Sequence, residues 1–158
     1  EVPPTYAPFI GTLPPQVERG LKAGGLLATP EVSREQMRAG FRSLVALVGE
    51  LHRRGIIIVA GTDGTGLELV RELELYVDAG MTPAQALATA TIVPAREFGV
   101  GAESGAIAVG RLAELVLVDG DPSRDIGDLR NVLAVMRDGR LMQGADLRAA
   151  AGISGPAR

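Results

Sequence analysis

Gly55 to Gly66 reads GIIIVAGTDGTG: five consecutive apolar residues, then a glycine-rich loop carrying a single acid, Asp63. A short β-branched run bounded by glycines predicts a strand, Ile56–Ala60, buried on both faces. In α/β proteins the chemistry sits at the carboxyl ends of such strands, where the loops begin. Asp63 is therefore the residue on which a reading of function turns. Taken alone it fits two roles, a site carboxylate or an Asx turn capping the next helix. A phosphate cradle fits poorly. The loop runs G-x-x-G-x-G rather than G-x-G-x-x-G, no GK[ST] follows it, and a central acid would repel phosphate.

The other chemistry-bearing residues narrow the classes. His52 is the one histidine and there is no cysteine among 158 residues. Hydrolytic zinc sites ordinarily take two or three His ligands, and a Ser-His-Asp triad needs a His as base. The chain alone is poorly equipped for either. Without cysteine, disulfides, thiolate metal sites and cysteine nucleophiles are excluded. Net charge is −3 with scattered basic residues, which argues against a nucleic-acid or anionic-membrane surface. With 46% hydrophobic residues and a mean hydropathy of +0.20, the chain should fold. No apolar run approaches the roughly 20 residues of a membrane span. No signal peptide is evident, and a cytoplasmic setting is the default expectation. The chain lacks an initiator Met and opens on an unusually long irregular stretch, so it is expected to start partway through a longer reading frame.

The elements that must position Asp63 follow from spacing. Residues 1–30 hold six of the ten prolines and predict an extended segment with one helical turn near Gln16–Ala23. Thr29-Pro30, or alternatively Ser33, caps a helix bearing Met37, Phe41, Leu44, Val45, Val48 and Leu51 at helical spacing, which Gly55 stops. That helix feeds directly into Ile56–Ala60, one step of a parallel α/β sheet or barrel. A second helix is predicted over Leu67–Ala79, with Leu69, Leu73, Tyr76 and Val77 inward and Gly80 as terminator. Thr82-Pro83-Ala84-Gln85 signals a third, and Pro94 to Gly99 a further turn. Beyond Gly105 come strands: Leu115–Val118, then Val132–Arg137 and Arg140–Met142 about the hairpin turn Asp138-Gly139. The Ala-, Gly- and Arg-rich tail after Asp146 is expected to fray.

GIIIVAGTDGTG, RELELYVDAGMTPAQALATATIVPAREFGV, ESGAIAVGRLAELVLVDGDP and VLAVMRDGRLM, in this order, resemble the C-terminal segment of metal-dependent amidohydrolases, nearest the imidazolonepropionase-like and prolidase-like branch. The resemblance covers about Ala46 to Met142. It implies an α/β fold: the last part of a TIM-type β/α barrel, followed by the C-terminal strands of a small β-sandwich. The corresponding division is an irregular segment at 1–30, the end of the barrel at 31–100, sandwich strands at 101–146 and a tail at 147–158. The resemblance implies that Asp63 coordinates a catalytic divalent metal, zinc as one or two ions, and takes a proton from the water the metal activates. It also implies a small amide or dipeptide substrate, with Arg71 and Gly64 as candidate contacts. The family's His-x-His pair, its carboxylated Lys or Glu and its two later His ligands belong upstream and are absent here. Lys22, in a Gly-rich stretch, does not match the bridging Lys. Arg71 falls where relatives often carry His, and Glu114 where they often carry Asp.

Bland readings stand beside these. His52 suits a solvated helix position; Glu68, Glu72, Glu74 and Asp78 suit a solvated face; Asp119 and Asp121 suit turns. Two functions follow. One is the C-terminal part of a metal-dependent hydrolase of an amide, cyclic amide or dipeptide C–N bond, acting with an upstream half of the barrel. The other is a truncated, non-catalytic homologue serving as a scaffold or binding partner. A part-barrel exposes apolar surface, so association into homo-oligomers is expected.

Overall fold

The computed structural model describes residues 2, 4–23, 32–64 and 66–154; the expected Thr29-Pro30 helix start lies outside them. A 3-10 helix, Pro4–Phe9, and the nine-residue helix α1, Pro15–Ala23, occupy the N-terminal stretch, more structure than its prolines predict. Lys22 lies on α1, paired with Glu18, rather than in a loop.

Helix α2, Arg34–Arg53, starts where Ser33 offers a reciprocal cap. The Ser33 hydroxyl accepts the Gln36 N–H at 3.2 Å, and Gln36 Oε1 accepts the Ser33 N–H at 2.8 Å. Its apolar stripe forms on one helix, but Met37, Phe41 and Leu44 stay exposed, and only the C-terminal half reaches the core through Val48. At Gly49 the helix touches the end of α3 (Leu67–Asp78), and a Cβ there would fall inside the envelope of the Ala79 carbonyl oxygen.

Ile56–Ala60 departs from expectation. The segment is extended but joins no sheet among the described residues, and Ile56 and Ile57 are 54% and 60% exposed. Ile58 and Ala60 pack on the core while Ile57 and Val59 face outward. Alternation of period two holds from Ile57 to Ala60, with one face covered and the other bare, while Ile56 at the start is exposed although it shares the covered face. The expected burial on both faces fails because no neighbouring strand or second layer is present among the described residues.

The core lies under this segment: Leu73 and Tyr76 of α3, Met81, Ala86 of α4 (Pro83–Thr89), and Ile126 of a 3-10 turn spanning Ile126–Arg130. Leu73 is 1% exposed. Leu69 and Val77, expected inward, are half-buried. Gly80, at φ 107°, terminates α3 in the left-handed region. Thr82 caps α4 through its bond from the Gln85 N–H, with Pro83 at the first helical position. Helix α5, Ile92–Glu97, follows.

Strands β1 (Leu115–Val118), β2 (Val132–Arg137) and β3 (Arg140–Gln143) make an antiparallel sheet in that order. β2 and β3 join through Asp138 and Gly139, both at positive φ (51° and 72°), as a two-residue hairpin requires. Residues 147–154 do not fray as expected, and the rest of the tail lies outside the described residues. Helix α6, Gly144–Ala150, packs on β2: Gly144 is buried against the Val132 carbonyl, and Arg148 Nη1 donates to that oxygen at 3.2 Å. Ser154 N–H then reaches Thr12 O at 2.8 Å. The fold is α/β with a three-stranded antiparallel sheet. Among the described residues no helix is long and apolar enough to cross a membrane.

Candidate active site

Asp63 stands exposed on the loop that follows the extended segment. Helix α3 begins at Leu67 with Gly66 in the cap position and no side-chain cap bond from that residue. Gly64 lies under the Glu68 carboxylate, whose Oε1 would be 2.8 Å from a Cβ at that position. Any side chain at Gly64 would displace Glu68 from the loop.

The strand-like segment is fixed at its end by two successive amides. Ala60 N–H donates to the Thr89 carbonyl of α4 at 2.9 Å, and Gly61 N–H donates to Glu72 Oε2 of α3 at 3.1 Å. Thr89 is buried, its hydroxyl donating to Ala86 O at 2.7 Å. Glu72 is held from behind by the Tyr76 hydroxyl, which donates to Oε1 at 2.6 Å. Burial, then the hydrogen bond to Glu72 and its charge, push the Tyr76 hydroxyl far above its ordinary value. It therefore stays protonated and able to donate. Glu68, Glu72 and Tyr76 are spaced i, i+4, i+8 and so form one row on α3.

The acids expected to be a solvated face thus divide. Asp78 is exposed, but Glu72 holds the loop and Glu74 holds two cations. Glu74 Oε2 accepts from Arg71 Nη1 at 3.1 Å, and Glu74 also pairs with Arg130 of the 3-10 turn. Arg71 has Asp78 as a further partner at 3.9 Å. Both partners of Arg71 lie on α3, and it is the Arg130 guanidinium, on Glu74, that joins α3 to the turn that precedes β2. Tyr6 belongs to the same neighbourhood: burial and the Glu68 charge raise its hydroxyl, against the opposing pull of Arg71 and Arg130.

His52 is half-buried at the end of α2. Asp121 accepts from Ser123 N–H at 3.0 Å, and its own N–H donates to Asp128 Oδ2 at 2.7 Å, the bonds of a turn. Glu114 accepts from the Ser104 hydroxyl at 2.6 Å. An apolar cavity of about 650 Å³ opens beside Phe9, Leu67, Val135 and Leu147; Asp63 is not among its lining residues. Among the described residues no three His, Cys, Asp or Glu side chains cluster closely enough to hold a metal. One exposed carboxylate supplies at most two oxygen donors to a divalent cation and does not complete a coordination set.

The sequence placed Tyr76 inward and Glu72 on a solvated face, but not their bond to each other or the hold of Glu72 on Gly61. Their signal was the i, i+4 spacing of an acid and a tyrosine just beyond the loop.

The sequence pattern of the amidohydrolase family matches residues 32–142. A 5-methylthioadenosine/S-adenosylhomocysteine deaminase of Syntrophobacter fumaroxidans is 32% identical over 115 residues, 65% of this chain and 26% of that protein. A crystal structure of a Xaa-Pro dipeptidase with methionine bound in its active site superposes with a TM-score of 0.63 at 30% identity, covering 73% of this chain and 29% of that one. Molinate hydrolase gives a TM-score of 0.53 at 26% identity, covering 60% and 25%. The chain thus spans between a quarter and a third of the length of these relatives. Matched over most of its length in both sequence and fold, the chain belongs to the amidohydrolase family.

Proposed function

We propose that this chain is the C-terminal part of an enzyme that hydrolyses a C–N bond in an amide, cyclic amide or dipeptide. In this reading Asp63 takes part in the chemistry, and the remaining site groups come from an upstream half of the barrel. The observation that carries it is the placement of Asp63. An exposed carboxylate follows an extended segment whose last two amides are tied to α3 and α4, inside the stretch that matches the family. The relatives named for their reactions include a deaminase and a dipeptidase, both of which break C–N bonds.

A divalent cation such as zinc, when bound, supplies an activated water and polarises the carbonyl. The part played by this chain is narrower. Asp63 would be one ligand of such a cation, and its carboxylate would accept the proton released by the attacking water and return it to the leaving nitrogen. Gly64 is kept as a proposed substrate contact through its backbone alone, since the Glu68 carboxylate fills the space a side chain would take there. Arg71 is proposed to act on the substrate only indirectly, through the α3 scaffold it shares with Glu74. The division into barrel end at 31–100 and sandwich strands at 101–146 belongs to the same proposal. So does the bare face of Ile57 and Val59, which the missing barrel strands would cover.

The test is to express the complete gene product and assay N-acyl amino acids, Xaa-Pro dipeptides and cyclic amides, before and after chelation. Turnover that chelation abolishes and zinc restores is expected. Chelator-resistant hydrolysis, or stoichiometric zinc binding with turnover by the 158-residue chain alone, would overturn the proposal. A metal-free, inactive full-length protein would favour the scaffold reading.

A further inference from the structure

We propose that Glu72, seated by Tyr76, is a positioning residue that sets the direction of the Asp63 loop. In an extended backbone successive N–H groups point to opposite sides. Here Ala60 N–H goes to the Thr89 carbonyl on α4 and the next amide, Gly61 N–H, goes to the Glu72 carboxylate on α3. Two bonds to two different helices, on adjacent residues, fix the rotation of the backbone where the loop departs. Asp63 is two residues beyond Gly61.

The two clamps differ in kind. Thr89 contributes a main-chain carbonyl from a buried residue and cannot swing away. Glu72 is a side chain, and its rotamer is what must be held. The Tyr76 hydroxyl does this from the buried side at 2.6 Å, one helical turn further along α3. The Gly61 amide therefore meets an oxygen already aligned by a second bond, in a charge-assisted hydrogen bond. Glu68, one turn earlier, lies over Gly64 and narrows the loop from the same helix face. A displacement of about 1 Å at a reacting group costs on the order of 100-fold in rate, so a bond that fixes the loop's exit carries leverage on the chemistry.

The inference rests on the reading of Asp63 as a site carboxylate, and its test separates the two. Glu72→Ala, Glu72→Gln, Tyr76→Phe and Asp63→Asn are made in the complete gene product. Each is followed by kcat, KM and the hydrogen-exchange rate of the Gly61 amide, all well below the melting temperature. Glu72→Ala should raise exchange at Gly61 while Ala60 stays protected, and lower kcat by about 10- to 100-fold with KM within about twofold. Glu72→Gln should restore both, since Gln Oε1 can accept the Gly61 N–H while Nε2 donates to the Tyr76 oxygen. Tyr76→Phe should fall between the two. If Glu72→Ala fails to fold, Tyr76→Phe carries the test.

Unchanged kcat in folded Glu72→Ala, or in Tyr76→Phe where Glu72→Ala does not fold, overturns the inference. A Glu72→Gln variant as impaired as Glu72→Ala does so too. Full activity of Asp63→Asn instead refutes the reading of Asp63, whatever Glu72 does. Faster Gly61 exchange with rescue by Gln supports the clamp independently of turnover.

Discussion

Replacing Glu74 with Gln should destabilise the protein more than any loss of a surface ion pair. The carboxylate serves two guanidinium groups: Arg71 Nη1 at 3.1 Å, and Arg130. The side chains of Glu74 and Arg130 are only 19% and 17% exposed, whereas Arg71 is 32% exposed and has Asp78 within 3.9 Å. Exposed pairs contribute about 0.2–1 kcal/mol, while removing one member of a fully buried pair costs roughly 3–5 kcal/mol. The Arg130 arm lies nearer the second limit, so Glu74→Gln should cost about 2 kcal/mol, most of it from Arg130. Arg130→Met removes the other charge together with Nη2, a buried donor without a partner among the described residues. That relief offsets part of the loss, and Arg130→Met should cost only about 1 kcal/mol. The double variant should then be less destabilised than the sum of the singles by about 1–2 kcal/mol, because neither charge is left stranded. Glu74 and Arg71 should couple by about 0.5 kcal/mol, and that coupling should fade with salt. Urea unfolding followed by circular dichroism measures all of these. Additivity of Glu74→Gln and Arg130→Met within about 0.3 kcal/mol would refute the reasoning.

Three further outcomes are expected. Gly49→Ala should cost about 1–3 kcal/mol, since its Cβ meets the Ala79 carbonyl oxygen and α2 must move off α3; thermal unfolding checks it. Tyr76 has a raised folded-state pKa, so the stability it contributes is full below the unfolded value near 10 and is lost as pH rises beyond it. Wild type should therefore be more stable than Tyr76→Phe at pH 8 and lose that margin above pH 10; a margin independent of pH contradicts the linkage. The bare apolar stripe at Phe41 and Leu44 should make the 158-residue chain associate in sedimentation velocity, with Leu44→Glu shifting it toward monomer. A wild-type chain that is monomeric at every soluble concentration would contradict this.

What was legible in the sequence was local. Ser33 as one of two candidate caps, Thr82 with Gln85, and Asp138-Gly139 each declare themselves within a few residues, because the bonds that define them close within one turn. The roles of Glu72 and Glu74 could not be seen that way. Their partners, Gly61 and Arg130, lie 11 and 56 residues off, and an acid on a helix reads as solvated until its partner is placed. Ile56–Ala60 was legible as extended and apolar, but burial on both faces depends on neighbours, and only the face of Ile58 and Ala60 has them. Residues 147–154 were misjudged for a related reason. Their Ala- and Gly-rich composition looks loose, yet Gly144 is what allows α6 to close on the Val132 carbonyl. Position alone, at the end of an apolar run, left Asp63 between a site carboxylate and an Asx turn, and the family resemblance is what favours the first. Its proposed companions leave no trace in this sequence beyond the family resemblance.

The central claim is that Asp63 works at the reacting centre. The direct measurement is turnover and bound metal in Asp63→Asn of the complete gene product, with folding checked by circular dichroism. Loss of turnover by about 100-fold or more, with metal content reduced and fold intact, is the result expected for a carboxylate that both ligates and moves a proton. Turnover and metal content within about twofold of wild type would contradict the account, since general acid–base catalysis alone is worth at least about 100-fold.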